Sequence, residues 1–268
     1  MRSPASEWDY GDVVAAYVKR PAYAPAALAD VLAAMGAGSG TRVCDVGAGT
    51  GNVALALAAA GLSVVALEPN AAMRALGRQR TAATSRICWV GACAEATALG
   101  DATFDLVTFG SSFNCVDRRR TLAETARILR ARGAVVCLWN HRRLDDPLQA
   151  RIETAIRDVV PEYAYGARRE DPTRAFEEDG LFTVIAHIER DVVHRLPVAD
   201  WLAAWRSHLT LKRQAGSQFA AVLEAIDRIV RDSAGRHIAV PYTTCAWIAR
   251  RRSAAASATG REGRSAPE

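Results

Sequence analysis

The 268-residue sequence predicts an α/β chain built on a mostly parallel sheet with helices on both faces. Three observations predict it. Apolar, strand-like runs alternate with amphipathic segments from residue 41 to residue 143. The connections between them are short, so each return across the sheet is made by a helix. The runs are also almost continuously hydrophobic, as strands covered on both faces must be.

The strand-like runs are "TRVCDVG" (41–47), "LSVVALE" (62–68), "RICWVGA" (86–92), "FDLVTFG" (104–110) and "GAVVCLWN" (133–140). Helical periodicity fills the gaps at 52–60, 70–81 and 117–130, the last carrying Leu122, Ala126 and Leu129 on one face. After Arg143 the rhythm changes. Residues 145–160 and 198–214 read as single helices, the second bearing Trp201, Trp205 and His208 at helical spacing. The runs from Phe182 and Tyr242 predict an antiparallel pair at the sheet edge, which brings the strand count to seven. The expected division is an N-terminal helical lid segment (1–36) and a main domain (37–252) with helical insertions near 145–180 and 197–236. The small, polar residues 253–268 are expected to be disordered.

Composition excludes several classes. The net charge of +5 is modest, and its arginines are scattered at 118–120, 142–143 and 250–252. That distribution predicts solvated helix faces and strand ends, not a nucleic-acid surface. No run reaches the roughly 20 apolar residues of a membrane helix, and residues 1–12 lack the apolar stretch of a signal peptide. Six cysteines without a C-x-x-C pair predict reduced structural thiols in a cytoplasmic protein. The five histidines are far apart in sequence, so no metal is expected.

The run "VCDVGAGTGN" (43–52) turns from strand to helix through Gly47, Gly49 and Gly51. Such a turn lets backbone amides approach a ligand at the carboxyl ends of the strands. The spacing is G-x-G-x-G, and Asp45 enters just before it. A carboxylate sits badly beside a pyrophosphate but well beside an ammonium group. Glu68, ending the second run, can accept both hydroxyls of a ribose. A ligand cationic at one end, with a ribose and no phosphate, fits both acids: S-adenosylmethionine.

The stretch "VCDVGAGTGNVALALAAAGLSVVALEPNAAM" resembles the first two motifs of class I S-adenosylmethionine-dependent methyltransferases, in the small-molecule branch that includes ubiquinone/menaquinone-biosynthesis and trans-aconitate methyltransferases. The resemblance continues through "FDLVTFG" and "CLWN", and the opening "YGDVVAAYVKRPAY" is similar to the family's N-terminal segment. It implies a Rossmann-like seven-stranded sheet with a helical lid. It also implies that Gly47, Ala48 and Gly49, with Gly51 completing the turn, line the methionine part of the cofactor, with Asp45 near its amino group. Glu68 would take the ribose, Pro69, Asn70 and Met73 would lie beside the adenosine, and Cys93, Ala94 and Glu95 would flank the adenine. Many members carry an acid where Cys93 stands, so the resemblance does not extend to that hydrogen bond to the adenine amino group, and the Ala94 amide is left to serve the ring. Phe109, Gly110 and Ser111 would pass close to the sulfonium, and the product would be S-adenosylhomocysteine.

Candidate acceptor-side residues are Tyr10, Tyr17, Phe113, Asn114, Asn140, His141, Trp201, Trp205 and His208. Tyr17, Asn114 and His141 are the catalytic candidates: a lid hydroxyl, a polar group after the fourth strand, and a base at the end of the fifth. Each also has a plainer reading: an aromatic packing a helix onto the sheet for Tyr17, an Asx turn for Asn114 and a surface loop histidine for His141. The place after the fourth strand reads "GSSFNC", without the N-P-P-Y-like run that grips a flipped base, and no acids cluster there for a catechol-type metal. The expected reaction is methyl transfer to a nitrogen or oxygen of a small molecule of the antibiotic type. An amine is favoured because no strong base is visible; thiol methylation is the alternative, a nucleic-acid substrate the less favoured one. The expected partner is the small-molecule acceptor, with neither membrane nor nucleic acid, and homo-oligomerisation is left open.

Overall fold

The computed structural model describes residues 14–165, 169–233 and 235–252. Tyr10, the first part of the expected lid and the expected disordered tail therefore lie outside the described residues. A seven-stranded sheet has the order β3-β2-β1-β4-β5-β7-β6. Strands β1 (Arg42–Val46), β2 (Ser63–Leu67), β3 (Ile87–Val90), β4 (Phe104–Gly110) and β5 (Leu129–Arg142) are parallel. Strand β7 (His237–Arg251) runs antiparallel between β5 and β6 (Phe182–Pro197), so the anticipated edge pair forms. Chain direction across the sheet reverses between β1 and β4, which opens a crevice at their carboxyl ends.

Two apolar layers sandwich the sheet. On one face, α2 (Pro25–Met35) and α3 (Asn52–Ala59) bury Leu28, Val31, Val53 and Leu57 against Val43, Leu106 and Ile248. On the other, Leu122 and Ala126 of α5 (Arg118–Ile128) pack with Phe109, Phe113, Trp139 and Phe182, joined by Phe176 from α7 (Thr173–Glu177). Helix α4 (Ala71–Arg80) closes the β2–β3 side.

A third core belongs to a helical cap. Helices α6 (Pro147–Val159), α8 (Val198–Arg206), α9 (Leu209–Ala215) and α10 (Phe219–Ser233) bury Ile152, Ile156, Trp201, Trp205, Leu211, Val222 and Ile226. They pack against Ile238, Val240 and Tyr242 at the start of β7. Strand β7 thus begins five residues before the expected Tyr242, and this extension is the floor on which the cap rests.

Two expectations need correction. Residues 198–214 form two helices, not one. At the break the Ser207 hydroxyl donates back to the Ala204 carbonyl (2.7 Å), while His208 Nδ1 accepts from the Leu211 amide (3.2 Å) and so caps α9. Side-chain bonds to free helix-end groups compensate for the interrupted ladder. Leu129, expected on a helical face, instead starts β5 opposite Phe104, where its burial is complete.

Candidate functional site

The glycine turn follows β1. Gly47, Gly49 and Gly51 all have positive φ (66°, 57° and 87°), a region that side-chain-bearing residues enter at a cost of about 1–2 kcal/mol. The Gly47 and Ala48 amides donate to the Leu67 carbonyl (2.8 and 3.0 Å), which ties the turn to the end of β2. A Cβ on Gly47 would stand 2.5 Å from Ser112 Cβ, and one on Gly49 would meet the Tyr17 ring at 3.4 Å. Gly51 caps α3 and faces the Trp89 ring. The cradle is thus bounded by Ser112 on one side and Tyr17 on the other.

Glu68 is buried at the end of β2, with its carboxylate oriented by two backbone amides. Oε2 accepts from Gly49 N and Oε1 from Asn70 N, both at 2.8 Å. Burial raises its pKa, opposed by those two amides and by Arg74, whose guanidinium donates to the Glu68 carbonyl (2.7 Å). The Asn70 side chain caps α4 by accepting from Met73 N (3.0 Å); Met73 itself is buried and Pro69 exposed.

Asp45 is 1% exposed. Its Oδ1 accepts from the Thr108 hydroxyl (2.8 Å), while Oδ2 has no partner among the described residues. Burial pushes its pKa up to about 7, resisted by Thr108 and the Ala54 amide and reinforced by Glu68. An ionisable oxygen left without a bond in the interior costs free energy unless something cationic or hydrogen-bonding meets it.

At the end of β4, Gly110 lets the chain pass close to α3: a Cβ there would be 2.6 Å from Val53 Cγ2 and 3.2 Å from the Tyr23 hydroxyl. Ser111 has φ 57°, and its hydroxyl shares a 2.9 Å hydrogen bond with that of Tyr23. Burial raises the Tyr23 phenol far above its ordinary value. In the 93–95 segment Cys93 is exposed, Ala94 buried, and Glu95 accepts from the Asp117 amide (2.9 Å), which anchors the start of α5.

Beside this crevice lies a cavity of about 120 Å³ lined by Tyr17, Tyr23, Asn52, Gly110, Ser111, Asn140, His141, Trp201, Trp205, His208 and Tyr242, with Arg20, Arg142, Tyr165 and Arg169. Among the described residues no carboxylate lines it. Arg20 donates to the Ser207 hydroxyl (2.9 Å) and carbonyl and stacks over the Tyr17 ring (4.4 Å). Arg142 is 8% exposed, bonded to Gln149 (3.0 Å), 3.5 Å from Glu153, and set over the Trp205 ring (4.5 Å). Arg169 lies over the Tyr165 ring (4.3 Å). The indole N–H of Trp205 is buried with no partner among the described residues.

The structure brings Tyr17, Asn140, Trp201, Trp205 and His208 to this cavity but separates others. Phe113 is fully buried, stacked on Phe176 (5.2 Å), and Asn114 accepts from the Trp139 indole (3.3 Å); neither lines the cavity, because the short 3-10 turn after Ser112 folds them into the α5-side core. The Phe109 ring is buried with them. His141 borders the cavity, but strand alternation directs it, with Cys245, to the sheet face opposite Asn140 and Thr244; its Nδ1 lies 3.6 Å from Cys245 Sγ. His208 stacks on Trp205 (5.5 Å) and spends Nδ1 on the Leu211 amide, so that nitrogen is not available to take a proton from an acceptor.

Arg20, Arg142 and Arg169 were not among the expected site residues. Arg142 was expected to be solvated, yet it is buried. The available signal was its position two residues past "WN", at the carboxyl end of the fifth parallel strand, where ligands gather.

Sheet order, glycine turn and buried acids at the ends of β1 and β2 together define a class I methyltransferase scaffold. Known proteins agree: a family described as "Methyltransferase domain" matches residues 44–137. A demethylmenaquinone methyltransferase of Renibacterium salmoninarum is 30% identical over 175 residues, 65% of this chain and 69% of that protein. An uncharacterized methyltransferase of Mycobacterium tuberculosis is 37% identical over 134 residues, 50% of this chain and 52% of that protein. The chain belongs to the S-adenosylmethionine-dependent methyltransferase family. It spans about half the length of the curated relatives it matches, the Renibacterium protein apart. Among solved structures, a protein described as a type II methyltransferase from Anaeromyxobacter dehalogenans superposes with a TM-score of 0.60 at 17% identity, covering 87% of this chain and 99% of its own. The [4+2]-cyclase SpnF does so at 0.52 and 17%, covering 84% and 80%. At such identities only the fold is shared, and the fold does not fix the reaction.

Proposed function

We propose that the protein transfers the methyl group of S-adenosylmethionine to a nitrogen or oxygen of a small molecule that carries an anionic group. The observation that carries this reading is the cavity beside the glycine turn, to which Arg20, Arg142 and Arg169 contribute and, among the described residues, no carboxylate does.

The cofactor reading has its own support in Asp45 Oδ2, which has no partner among the described residues, and in the cradle that a Cβ on Gly47 would fill. Asp45 would serve the α-ammonium group, and Glu68, with one lone pair free on each oxygen, the ribose hydroxyls. The 93–95 segment would offer backbone, since the Glu95 carboxylate already holds the Asp117 amide. When bound, the sulfonium supplies an activated methyl. The acceptor's lone pair forms the new bond to carbon as the carbon–sulfur pair leaves with sulfur, and any acceptor proton passes to solvent. The chain's residues then need mainly to orient the acceptor and exclude water.

Among the described lining residues, His208 Nδ1 is taken by the Leu211 amide, His141 is directed to the other sheet face, and Tyr23 is held as a phenol. An acceptor atom that is already anionic, or an amine that arrives neutral, needs no base. A polycationic acceptor of the aminoglycoside kind would face Arg20 and Arg169 directly, while the one nearby carboxylate, Glu153, is already engaged by Arg142 and the Tyr165 hydroxyl. The lining therefore shifts the preference from amine-rich antibiotics to acidic molecules, which planar guanidiniums recognise best.

Turnover measured with S-adenosylmethionine against matched acceptors, each acid beside its amide or methyl ester, tests the reading. We expect methylation of acids only, and a rise in KM of roughly tenfold or more in Arg20→Met, as for the loss of a hydrogen bond to a charged group. Equal use of the uncharged partners would overturn the anionic requirement. Absence of S-adenosylhomocysteine binding would overturn the cofactor instead.

A further inference from the structure

On the face of the sheet away from the acceptor cavity, antiparallel register gathers residues that are remote in sequence. Glu189 of β6 pairs with Cys245 of β7, and His187, two residues earlier on β6, shares the face of Glu189. We propose that His187, Glu189 and Cys245 bind a divalent transition metal of the zinc class, with a fourth, solvent-facing position open. The site goes beyond the methyl-transfer reading and does not depend on it.

The geometry points to this ligand class. His187 Nε2 is 3.6 Å from Glu189 Oε1, and Cys245 Sγ is 3.6 Å from the same oxygen. One ligand atom from each of the three residues lies within 4.8 Å of the others. Tetrahedral zinc, with bonds of about 2.3 Å to sulfur and about 2.0–2.1 Å to nitrogen or oxygen, sets its ligand atoms roughly 3.3–3.6 Å apart. The observed spacings need only small side-chain rotations to reach that range. A mixed thiolate, imidazole and carboxylate set suits zinc or cobalt better than magnesium or calcium, which take oxygen alone.

The surroundings are those of a site with an entry path. Cys245 is buried at the base, while the His187 and Glu189 side chains are 41% and 58% exposed at the mouth. The His187 ring is held by stacking on Trp247 (4.1 Å between centroids, planes 18° apart), which limits the freedom lost on binding. His141 Nδ1, 3.6 Å from Cys245 Sγ, stands beside the thiol as an outer contact. A cation here would pin β6 to β7, the pair whose far ends carry the cap.

The test is titration of the metal-stripped full chain with Co²⁺, read by absorption. We expect one equivalent to bind with a thiolate-to-cobalt charge-transfer band and tetrahedral visible bands, both displaced by Zn²⁺. Cys245→Ser should remove the charge-transfer band. His187→Gln, at an exposed position, should weaken binding at least tenfold while costing the unliganded fold no more than its stacking on Trp247. Zn²⁺ should raise the melting temperature of the unaltered chain and not of His187→Gln. No charge-transfer band, a band that survives Cys245→Ser and so belongs to another cysteine, or equal affinity in His187→Gln would each overturn the proposal.

Discussion

Asp45 is buried with Oδ1 bonded to Thr108 and Oδ2 without a partner among the described residues, and its pKa is pushed up to about 7. Both facts bear on ligand binding near neutral pH. Below pH 7 the carboxyl of the free protein is largely protonated and offers an ammonium group no ion pair; above it the carboxylate is ready. Affinity for S-adenosylhomocysteine should therefore rise about tenfold between pH 6 and pH 8, following the ionised fraction of a group with that pKa. Calorimetric titration checks it, and Asp45→Asn should bind more weakly with a flat profile. A flat profile in the unaltered protein would remove Asp45 from the ligand. Stability carries the opposite sign. A carboxyl whose pKa rises on folding favours the native state below its unfolded value, and that contribution is lost as pH climbs through about 7. At this scale the two acids were legible because each stands at a fixed offset from a strand end and a glycine turn. Arg20 and Arg142 were not. Whether an arginine is solvated or buried depends on partners far along the chain, Ser207 for one and Gln149, Glu153 and Trp205 for the other.

Helix α4 shows how an element can reverse a local propensity. Gly77 sits within it, where alanine would ordinarily stabilise a helix by up to about 1 kcal/mol. Here a Cβ would lie 2.2 Å from the six-membered ring of Trp89, which is itself fixed by the bond from its indole N–H to Thr81 (2.9 Å). Gly77→Ala should therefore destabilise, by about 1–3 kcal/mol as other overpacked sites do, measured by urea unfolding. A neutral or stabilising outcome would mean that Trp89 swings aside at little cost. The five parallel strands were legible because a strand covered on both faces leaves an unbroken apolar run. The break at Ser207–His208 was not, since both helical halves keep the same periodicity and only local side-chain bonds divide them. Nor was the entry of Leu129 into β5, because its apolar side chain suits a helix face and a buried strand equally well.

Across the whole molecule, the segment that carries Tyr17 over Gly49 is bound to both halves of the fold. Helix α1 (Val14–Tyr17) touches α4 on the cofactor side and α8 in the cap. Lys19 pairs with Asp200 (3.0 Å) and Arg20 with Ser207, both in the cap segment. On the sheet side, Asn140 donates to the Ala22 and Pro21 carbonyls (2.7 and 3.3 Å) and accepts from Thr244 (2.5 Å), which in turn accepts from the Ala24 amide (2.8 Å). These contacts differ in weight. The Lys19–Asp200 pair is exposed on both sides and contributes at most about 1 kcal/mol. The Asn140–Thr244 network holds one buried backbone group, the Ala24 amide, through Thr244, and ties the exposed Ala22 and half-buried Pro21 carbonyls to the sheet; a buried amide left unpaired costs about 1–3 kcal/mol. Asn140→Ala should accordingly lower the melting temperature, speed proteolysis around residues 18–24 and loosen S-adenosylhomocysteine, because Tyr17 no longer closes over the glycine turn. Lys19→Gln should leave all three readouts nearly unchanged. If instead Asn140→Ala lost stability while segment cleavage and ligand affinity stayed at their original values, Asn140 would be a sheet-end residue without influence on the lid, and closure would have to rest on the cap contacts of Lys19 and Arg20.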